Sequence, residues 1–216
     1  MPSCCDGEGY DAVFTNRFAQ RVARRYRRHG LNATSSLMVD FLSRRGIEGA
    51  SVLEIGGGVG EIQLELLRRG AARVTNLEIS ASYEEEARRL LEQSGMAGRV
   101  TRRFLDIAQA PDEVEPADVV VLHRVVCCYP DYERLLSAAG GHADRLLVFS
   151  HPPENVLSRG VIGAENLVRR VKRQSFRAFV HPADAMVSVL AGAGLTARYR
   201  HRGQAWCVVG LERGPV

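Results

Sequence analysis

The residues whose type and spacing point most directly to chemistry lie in Val52-Leu53-Glu54-Ile55-Gly56-Gly57-Gly58-Val59-Gly60-Glu61. A buried strand enters a loop with glycine at 56, 58 and 60, and a helix leaves it. Glycine is required where a Cβ would block positive φ or keep a ligand away from the backbone. The helix N-terminus that follows offers unpaired N–H groups and about half a positive charge to an anionic part of that ligand. A dinucleotide loop, G-x-G-x-x-G, would put its third glycine at 61 or 63, where this chain has Glu61 and Gln63. The pattern is instead E-x-G-x-G-x-G, beginning at Glu54. A plain tight turn would also use glycines here.

Elements that position this loop can be read from periodicity. Ser51 to Ile55 reads as a strand, Glu61 to Arg69 as a helix, Arg73 to Ile79 as a second strand and Ser82 to Gln93 as a second helix. Val100 to Leu105 and Asp118 to Leu122 follow as strands, the latter apolar enough to be covered on both faces. Asp131 to Ala139 reads as helix and Arg145 to Ser150 as the fifth strand. This succession predicts an α/β fold, a doubly wound Rossmann-like sheet, since parallel neighbours need helical crossovers. Pro182 to Ala193 reads as helix, and Thr196 to His201 and Ala205 to Leu211 as strands joined by a link too short for a crossover. The last strand should therefore run antiparallel. Before the sheet, Val13, Phe14, Phe18, Val22 and Tyr26 recur at helical spacing from Asp11 to His29, with Gly30 as the stop. A second helix runs from Asn32 or Thr34 to Gly46. The division expected is 1–46 as a tail and lid helices and 47–216 as one globular unit.

The glycine pattern resembles the first motif of the class I S-adenosylmethionine-dependent methyltransferases, and the resemblance continues through the following strands. It implies a seven-stranded sheet with an antiparallel last strand, and S-adenosylmethionine as cofactor. Glu54, Gly56, Gly57, Gly58 and Gly60 are then cofactor-binding. Glu78, 22 residues after Gly56, stands where the family's acid takes both ribose hydroxyls, a charge-assisted bidentate pairing. Ile79 would lie against the adenine, Asp106 near its amino group, and Ile107 would offer a backbone N–H to a ring nitrogen. Taken without the resemblance, Glu78 could be a solvated cap and Asp106 the N-cap of a short helix.

After the fourth strand comes Leu122-His123-Arg124-Val125-Val126-Cys127-Cys128-Tyr129-Pro130-Asp131. In this topology that segment faces the ligand crevice, which makes Leu122 and His123 cofactor neighbours. It lacks the D/N-P-P-Y/F motif of enzymes that methylate DNA base amines, and His151-Pro152-Pro153 follows the fifth strand as a rigid turn. The run is similar to that of small-molecule methyltransferases, among them the magnesium-protoporphyrin O-methyltransferases, in which a histidine precedes the Tyr-Pro where this chain has Cys128. Methyl transfer is an in-line displacement that orientation alone can accelerate strongly. A carboxylate acceptor needs no base, whereas a phenol or alcohol gains roughly 10²- to 10⁴-fold from one. His123 and Tyr26 are the catalytic candidates, with His29 and Tyr129 behind them, although His123 could simply contact cofactor and Tyr26 could be helix packing.

Cys4, Cys5, Cys127, Cys128 and Cys207 form no C-x-x-C and are odd in number, so reduced thiols are expected and no metal site. A soft-metalloid site resembling that of arsenite methyltransferases, with Cys4 and Cys5 folded over Cys127 and Cys128, is the sharper alternative. From Glu154 to Val180, apolar Val156, Leu157, Val161, Ile162, Leu167, Val168 and Val171 alternate with Arg159, Arg169, Arg170, Lys172, Arg173 and Arg177. That segment could close the crevice over an apolar acid, touch an anionic membrane surface, or be a solvated helix packed on the sheet.

With 216 residues, 45% apolar and 25% charged, the chain has the composition of one globular domain and not of a collagen, coiled coil or disordered tail. No stretch approaches the roughly 18 apolar residues of a spanning helix. The N-terminal region carries Arg17, Arg21, Arg24, Arg25, Arg27 and Arg28 in place of a signal core, so a soluble, cytoplasmic protein is expected. The net charge of +4 is too modest to demand a nucleic-acid partner. The expected activity is methylation of a small molecule, at oxygen. The alternatives are a nucleotide-cofactor oxidoreductase and a catalytically inactive nucleic-acid or membrane-binding module of the same fold.

Overall fold

The computed structural model describes residues 7–214. Seven strands, β1 (Ser51–Ile55), β2 (Arg73–Glu78), β3 (Val100–Phe104), β4 (Ala117–Leu122), β5 (Ala143–His151), β6 (Leu195–Arg202) and β7 (Cys207–Arg213), form one sheet in the order β3-β2-β1-β4-β5-β7-β6. Neighbours among β1 to β5 pair in parallel, and β7 is antiparallel to both β5 and β6. The short link between the last two strands dictates that reversal.

Strand alternation divides the core between two faces. On β4, Val120 and Leu122 join one cluster with Leu53, Leu77, Leu147 and Phe149. Val119 and Val121 join the other, with Val52, Val74, Leu146 and Val148. A residue period of two sends successive side chains to opposite faces, and helices cover both. The first face carries α6 (Tyr132–Gly141) and α8 (Ala183–Gly192) through Leu135, Leu136, Met186 and Leu190. The second carries α3 (Ala33–Ser43) and α4 (Glu61–Arg68) through Met38, Phe41, Leu42, Ile62 and Leu66.

Asn32 caps α3, accepting from the Ser35 N–H at 3.1 Å, as the sequence suggests. The helix lies against the end of the sheet, where Phe41 sits over Gly210 of β7 and Arg45 pairs with Glu212.

One expectation needs correction. The helix read from Asp11 to His29 is two elements, α1 (Gly7–Asp11) and α2 (Asn16–His29). Val13 and Phe14 N–H groups bond back to the Tyr10 carbonyl at 3.0 and 2.8 Å, and Thr15 then caps α2 by accepting from Phe18 N at 3.3 Å. The apolar spacing is continuous because Phe14 packs from the turn itself, against Tyr10, Tyr83 and Phe176. Ala19 and Ala23 of α2 are fully buried. These small residues let α2 lie close to α5 (Glu84–Ser94), where Leu90 and Leu91 share their cluster.

The segment 154–180 contains α7 (Val156–Val171), capped by Asn155 and without one buried residue. Among the described residues no helix is long and apolar enough to cross a membrane.

Candidate active site

β1 delivers the chain into the glycine loop, and Gly60, at φ +86°, turns it into α4. Gly58 has φ +54°, a region that L side chains avoid. A Cβ on Gly57 would stand 2.1 Å from Asn76 Nδ2, so the loop lies directly on the buried polar residues beneath it. There Asn76 donates to Gln63 Oε1 at 2.7 Å and approaches Glu54 Oε2 at 3.5 Å. Burial pushes the Glu54 carboxyl well above its usual range, with Glu61 adding to the effect and Arg102 opposing it.

Glu78, at the end of β2, is buried, and backbone N–H groups converge on its carboxylate. Gly58 N donates to Oε2 at 2.9 Å, and Ile79 N and Ser80 N donate to Oε1 at 2.8 and 3.0 Å. Burial raises its pKa, partly offset by these donors and by Arg102. Oε2 keeps a second lone pair for a ligand donor. Arg102 of β3 donates to the Gly58 carbonyl at 3.1 Å and to Glu84 at 3.0 Å.

Two adjoining cavities open over the loop, of about 250 and 130 Å³, sharing Gly56, Tyr83, His123 and Arg124. The larger is bounded by Glu54, Gly57, Gly58 and Glu61 and roofed by Arg21, Arg25 and Tyr26 of α2. Glu78, Ile79, Val125, Cys128 and Tyr129 bound the smaller, which Tyr10 and Phe14 close. The loop is therefore open to a ligand and not plugged by neighbouring side chains.

The structure brings Glu54, Gly56, Gly57, Gly58, Glu78, Ile79 and His123 to these cavities, while Gly60 shapes the loop from behind. Asp106, Ile107 and Leu122 do not line them. One oxygen of Asp106 accepts from Ala108 N at 3.0 Å and the other from the Tyr129 hydroxyl at 2.9 Å, which ties the carboxylate to the turn after β3 and to Tyr129. Ile107 and Leu122 are buried in the core.

The two catalytic candidates are both tied down. His123 Nε2 lies 3.2 Å from Ser35 Oγ and Nδ1 lies 3.0 Å from Ser150 Oγ, clamping the ring between α3 and β5. Burial, assisted by Arg124, pushes its pKa down to about 3, which keeps the imidazole neutral. The Tyr26 hydroxyl donates to Glu65 at 2.7 Å and accepts from Arg68 at 2.6 Å, and burial and the Glu65 carboxylate raise its pKa.

Sequence reasoning missed three contributors. Arg102 is one; its signal was a charged residue registered beside Asn76, itself polar within a buried strand. Tyr83 borders both cavities from the turn before α5. Arg124 adopts φ +60°, and its guanidinium lies 4.8 Å above the Trp206 ring at the β6–β7 link.

The thiols of Cys127 and Cys128 lie 3.7 Å apart, and the hydrogen bond between them pulls the Cys127 thiol down and the Cys128 thiol up. Cys4 and Cys5 fall outside the described residues. Among the described residues no group of three or more His, Cys, Asp or Glu side chains could hold a metal ion.

A methyltransferase domain family matches residues 52–142. The ribosomal protein L11 methyltransferase of Aeromonas hydrophila is 33% identical over 121 residues, 56% of this chain and 40% of that protein. Its counterpart in Aeromonas salmonicida is 33% identical over 92 residues, 43% of this chain and 30% of that protein. The chain thus spans well under half the length of these curated relatives. Among solved structures, magnesium protoporphyrin IX methyltransferase from Synechocystis PCC 6803, with bound SAH, superposes with TM-score 0.74 at 20% identity, covering 95% of this chain and 98% of that one. An O-methyltransferase family protein from Burkholderia thailandensis gives 0.71 at 20% identity, covering 99% and 64%. Residues 52–142 thus match a methyltransferase domain family, and the chain as a whole shares the fold of these solved methyltransferases.

Proposed function

We propose that this chain transfers a methyl group from S-adenosylmethionine to an oxygen of a small molecule, and that the oxygen belongs to a carboxylate. The observation that carries the reading is the open glycine loop whose tip, Gly58, is bonded to the buried Glu78 carboxylate beside two adjoining cavities. When bound, the cofactor supplies an electrophilic methyl on a positively charged sulfur. The chain's own residues would do the rest: Gly56 to Gly58 let the ligand rest on backbone, Glu78 takes the ribose hydroxyls, and Ile79 and Tyr83 offer apolar surface.

The choice of a carboxylate oxygen rests on the state of the two candidate bases and on the cation beside the cavities. Neither His123, clamped by two serines, nor Tyr26, bonded to Glu65 and Arg68, is free to take a proton. An ionised carboxylate needs no such help, and Arg124 provides a cation at the rim that would orient it. His123 then acts as a neutral positioning residue, holding the strand end that carries Arg124, whose own N–H donates to Ser150 at 2.9 Å.

Isothermal titration with S-adenosylhomocysteine, followed by transfer of labelled methyl to a panel of carboxylic acids, phenols and amines, tests the reading. Binding in the micromolar range and a labelled product that mild base hydrolyses, as it would a methyl ester, are expected. An alkali-stable product on an amine or a protein would overturn the carboxylate assignment. Absence of binding at high micromolar cofactor would overturn the activity itself, and binding of NADH in its place would favour an oxidoreductase.

A further inference from the structure

α7 is amphipathic the wrong way round for a helix packed on a sheet. At 100° per residue, Val156, Leu167, Gly160, Val171, Ala164, Leu157, Val168 and Val161 fill one uninterrupted arc with no polar residue inside it. Most of that arc faces away from the protein: Val156, Leu157, Leu167 and Val171 are 88%, 74%, 63% and 77% exposed, while Ala164 and Val168 share a hollow with Ala12 and Val13. The helix is held from its polar side. Asn166 donates to the Ala178 carbonyl at 2.7 Å and accepts from Ala178 N at 3.0 Å, and Arg169 lies 5.2 Å over Phe176. So large an apolar surface on a single exposed helix marks a contact with something outside the chain.

Charge says what that something is. From 154 to 173 there are five basic side chains, Arg159, Arg169, Arg170, Lys172 and Arg173, against Glu154 and Glu165. Both acids are already paired, Glu154 with Arg159 at 3.0 Å and Glu165 with Arg169 at 2.9 Å. A second copy docked through the same segment would bring no free acid of that segment to these cations, since both of its acids are already paired. An anionic bilayer answers both features at once, since acyl chains accept the apolar arc while headgroup phosphates meet the flanking cations.

We propose that α7 is a membrane-surface anchor that lies in the headgroup region of an anionic bilayer with Leu157, Val161, Leu167, Val168 and Val171 buried in it. The anchor sits beside the cleft: Phe176, beneath α7, packs at 5.4 Å on both Tyr10 and Phe14, which close the smaller cavity. Docking through α7 would hold the cavities next to the lipid surface. The inference stands independently of the acceptor assigned above.

Flotation of the full chain with vesicles tests it, comparing pure phosphatidylcholine with a mixture of about two-thirds phosphatidylcholine and one-third phosphatidylglycerol. Binding to the anionic vesicles at least tenfold stronger than to the neutral ones is expected, weakening as salt rises. Leu157→Glu with Leu167→Glu should abolish it, and Arg170→Glu with Lys172→Glu should reduce it at least fivefold. In the unsubstituted protein, amide exchange across 156–171 should slow on anionic vesicles only, a readout that survives any failure of the variants to fold. No binding to anionic vesicles, binding untouched by the Leu157/Leu167 variant, or exchange unchanged across 156–171 would each overturn the proposal. So would a parent dimer in sedimentation that this variant turns into a monomer while vesicles capture neither, since the face would then be an interface between copies.

Discussion

The backbone of Gly58 is gripped on both sides: its N–H donates to Glu78 Oε2 at 2.9 Å, and its carbonyl accepts from Arg102 at 3.1 Å. The tip of the loop after β1, the acid ending β2 and a cation in β3 thereby form one unit. A ligand that touches Glu78 therefore meets a loop whose shape is already set, and preorganisation of this kind lowers the ordering cost of binding.

Glu78→Ala removes the ligand's acceptor and the anchor of the loop together. The affinity for S-adenosylhomocysteine should fall by about 1.5–3 kcal/mol, the scale of a hydrogen bond to a charged group, or roughly 10- to 150-fold in Kd. Glu78→Gln, which keeps one acceptor oxygen, should fall between the two proteins. Titration calorimetry showing less than a twofold change for the alanine variant would remove Glu78 from the site.

Gly58→Val should eliminate measurable cofactor binding at high micromolar concentration. The backbone there has φ +54°, which a β-branched residue resists, and the side chain would project into the cavity beside Tyr83, where its first carbon sits at ordinary contact distance and its methyl groups take the ligand's space. Circular dichroism should show the fold retained. Parental affinity in this variant would count against the loop as the ligand's seat.

Acid sensitivity should report the clamp on His123. The unfolded chain takes up this proton near pH 6.5, whereas the folded one holds the group neutral down to about 3. Between those values the unfolded state binds more protons, so stability falls as pH falls from about 6.5 toward 3. His151 and His181, also lowered by burial, act in the same direction. The difference between the parent and His123→Asn in urea melts across that window isolates the one residue, and equal pH slopes would contradict the assignment. The kcat profile should show no inflection near 6.5 from His123.

Gly210→Ala should destabilise the protein by about 1–3 kcal/mol, the usual cost of overpacking. The new methyl would stand 2.5 Å from the Phe41 ring, which is stacked on Tyr199 and carries the Arg45 guanidinium 4.0 Å from its centroid. Pairing the change with Phe41→Leu should recover part of the loss. A neutral Gly210→Ala in denaturant melts would mean that α3 rides loosely on β7.

The strands and the reversed last strand were legible because apolar alternation marks the one and link length dictates the other, whereas strand order came only with the family resemblance. Ser51 to Ile55 is the observed β1 without adjustment, and the glycine spacing located the larger cavity. What escaped the sequence depends on contacts between distant segments. The break at Phe14 was hidden by an aromatic that keeps the helical rhythm while packing from a turn. Asp106 has the expected type, but it bonds the Tyr129 hydroxyl and does not line the cavities, a contact between segments 23 residues apart that no local pattern announces. His123 reads as a free base until Ser35 and Ser150, far apart in the chain, close on it. The stripe on α7 was visible, but its direction was not, because periodicity says which residues share a face and not where that face looks.

The seat of Phe41 on Gly210 imposes an order of events at the ribosome. Roughly 170 residues separate the two, so at about 5–20 residues per second the helix emerges some 10–30 s before the strand that receives it. Through that interval the apolar side of 33–43 lacks part of its natural resting place, and over its last third β5, once made, lacks its β7 partner. The nascent protein is at its most vulnerable to adhesion and to chaperone capture then, and the arrival of β7 ends both exposures in one step.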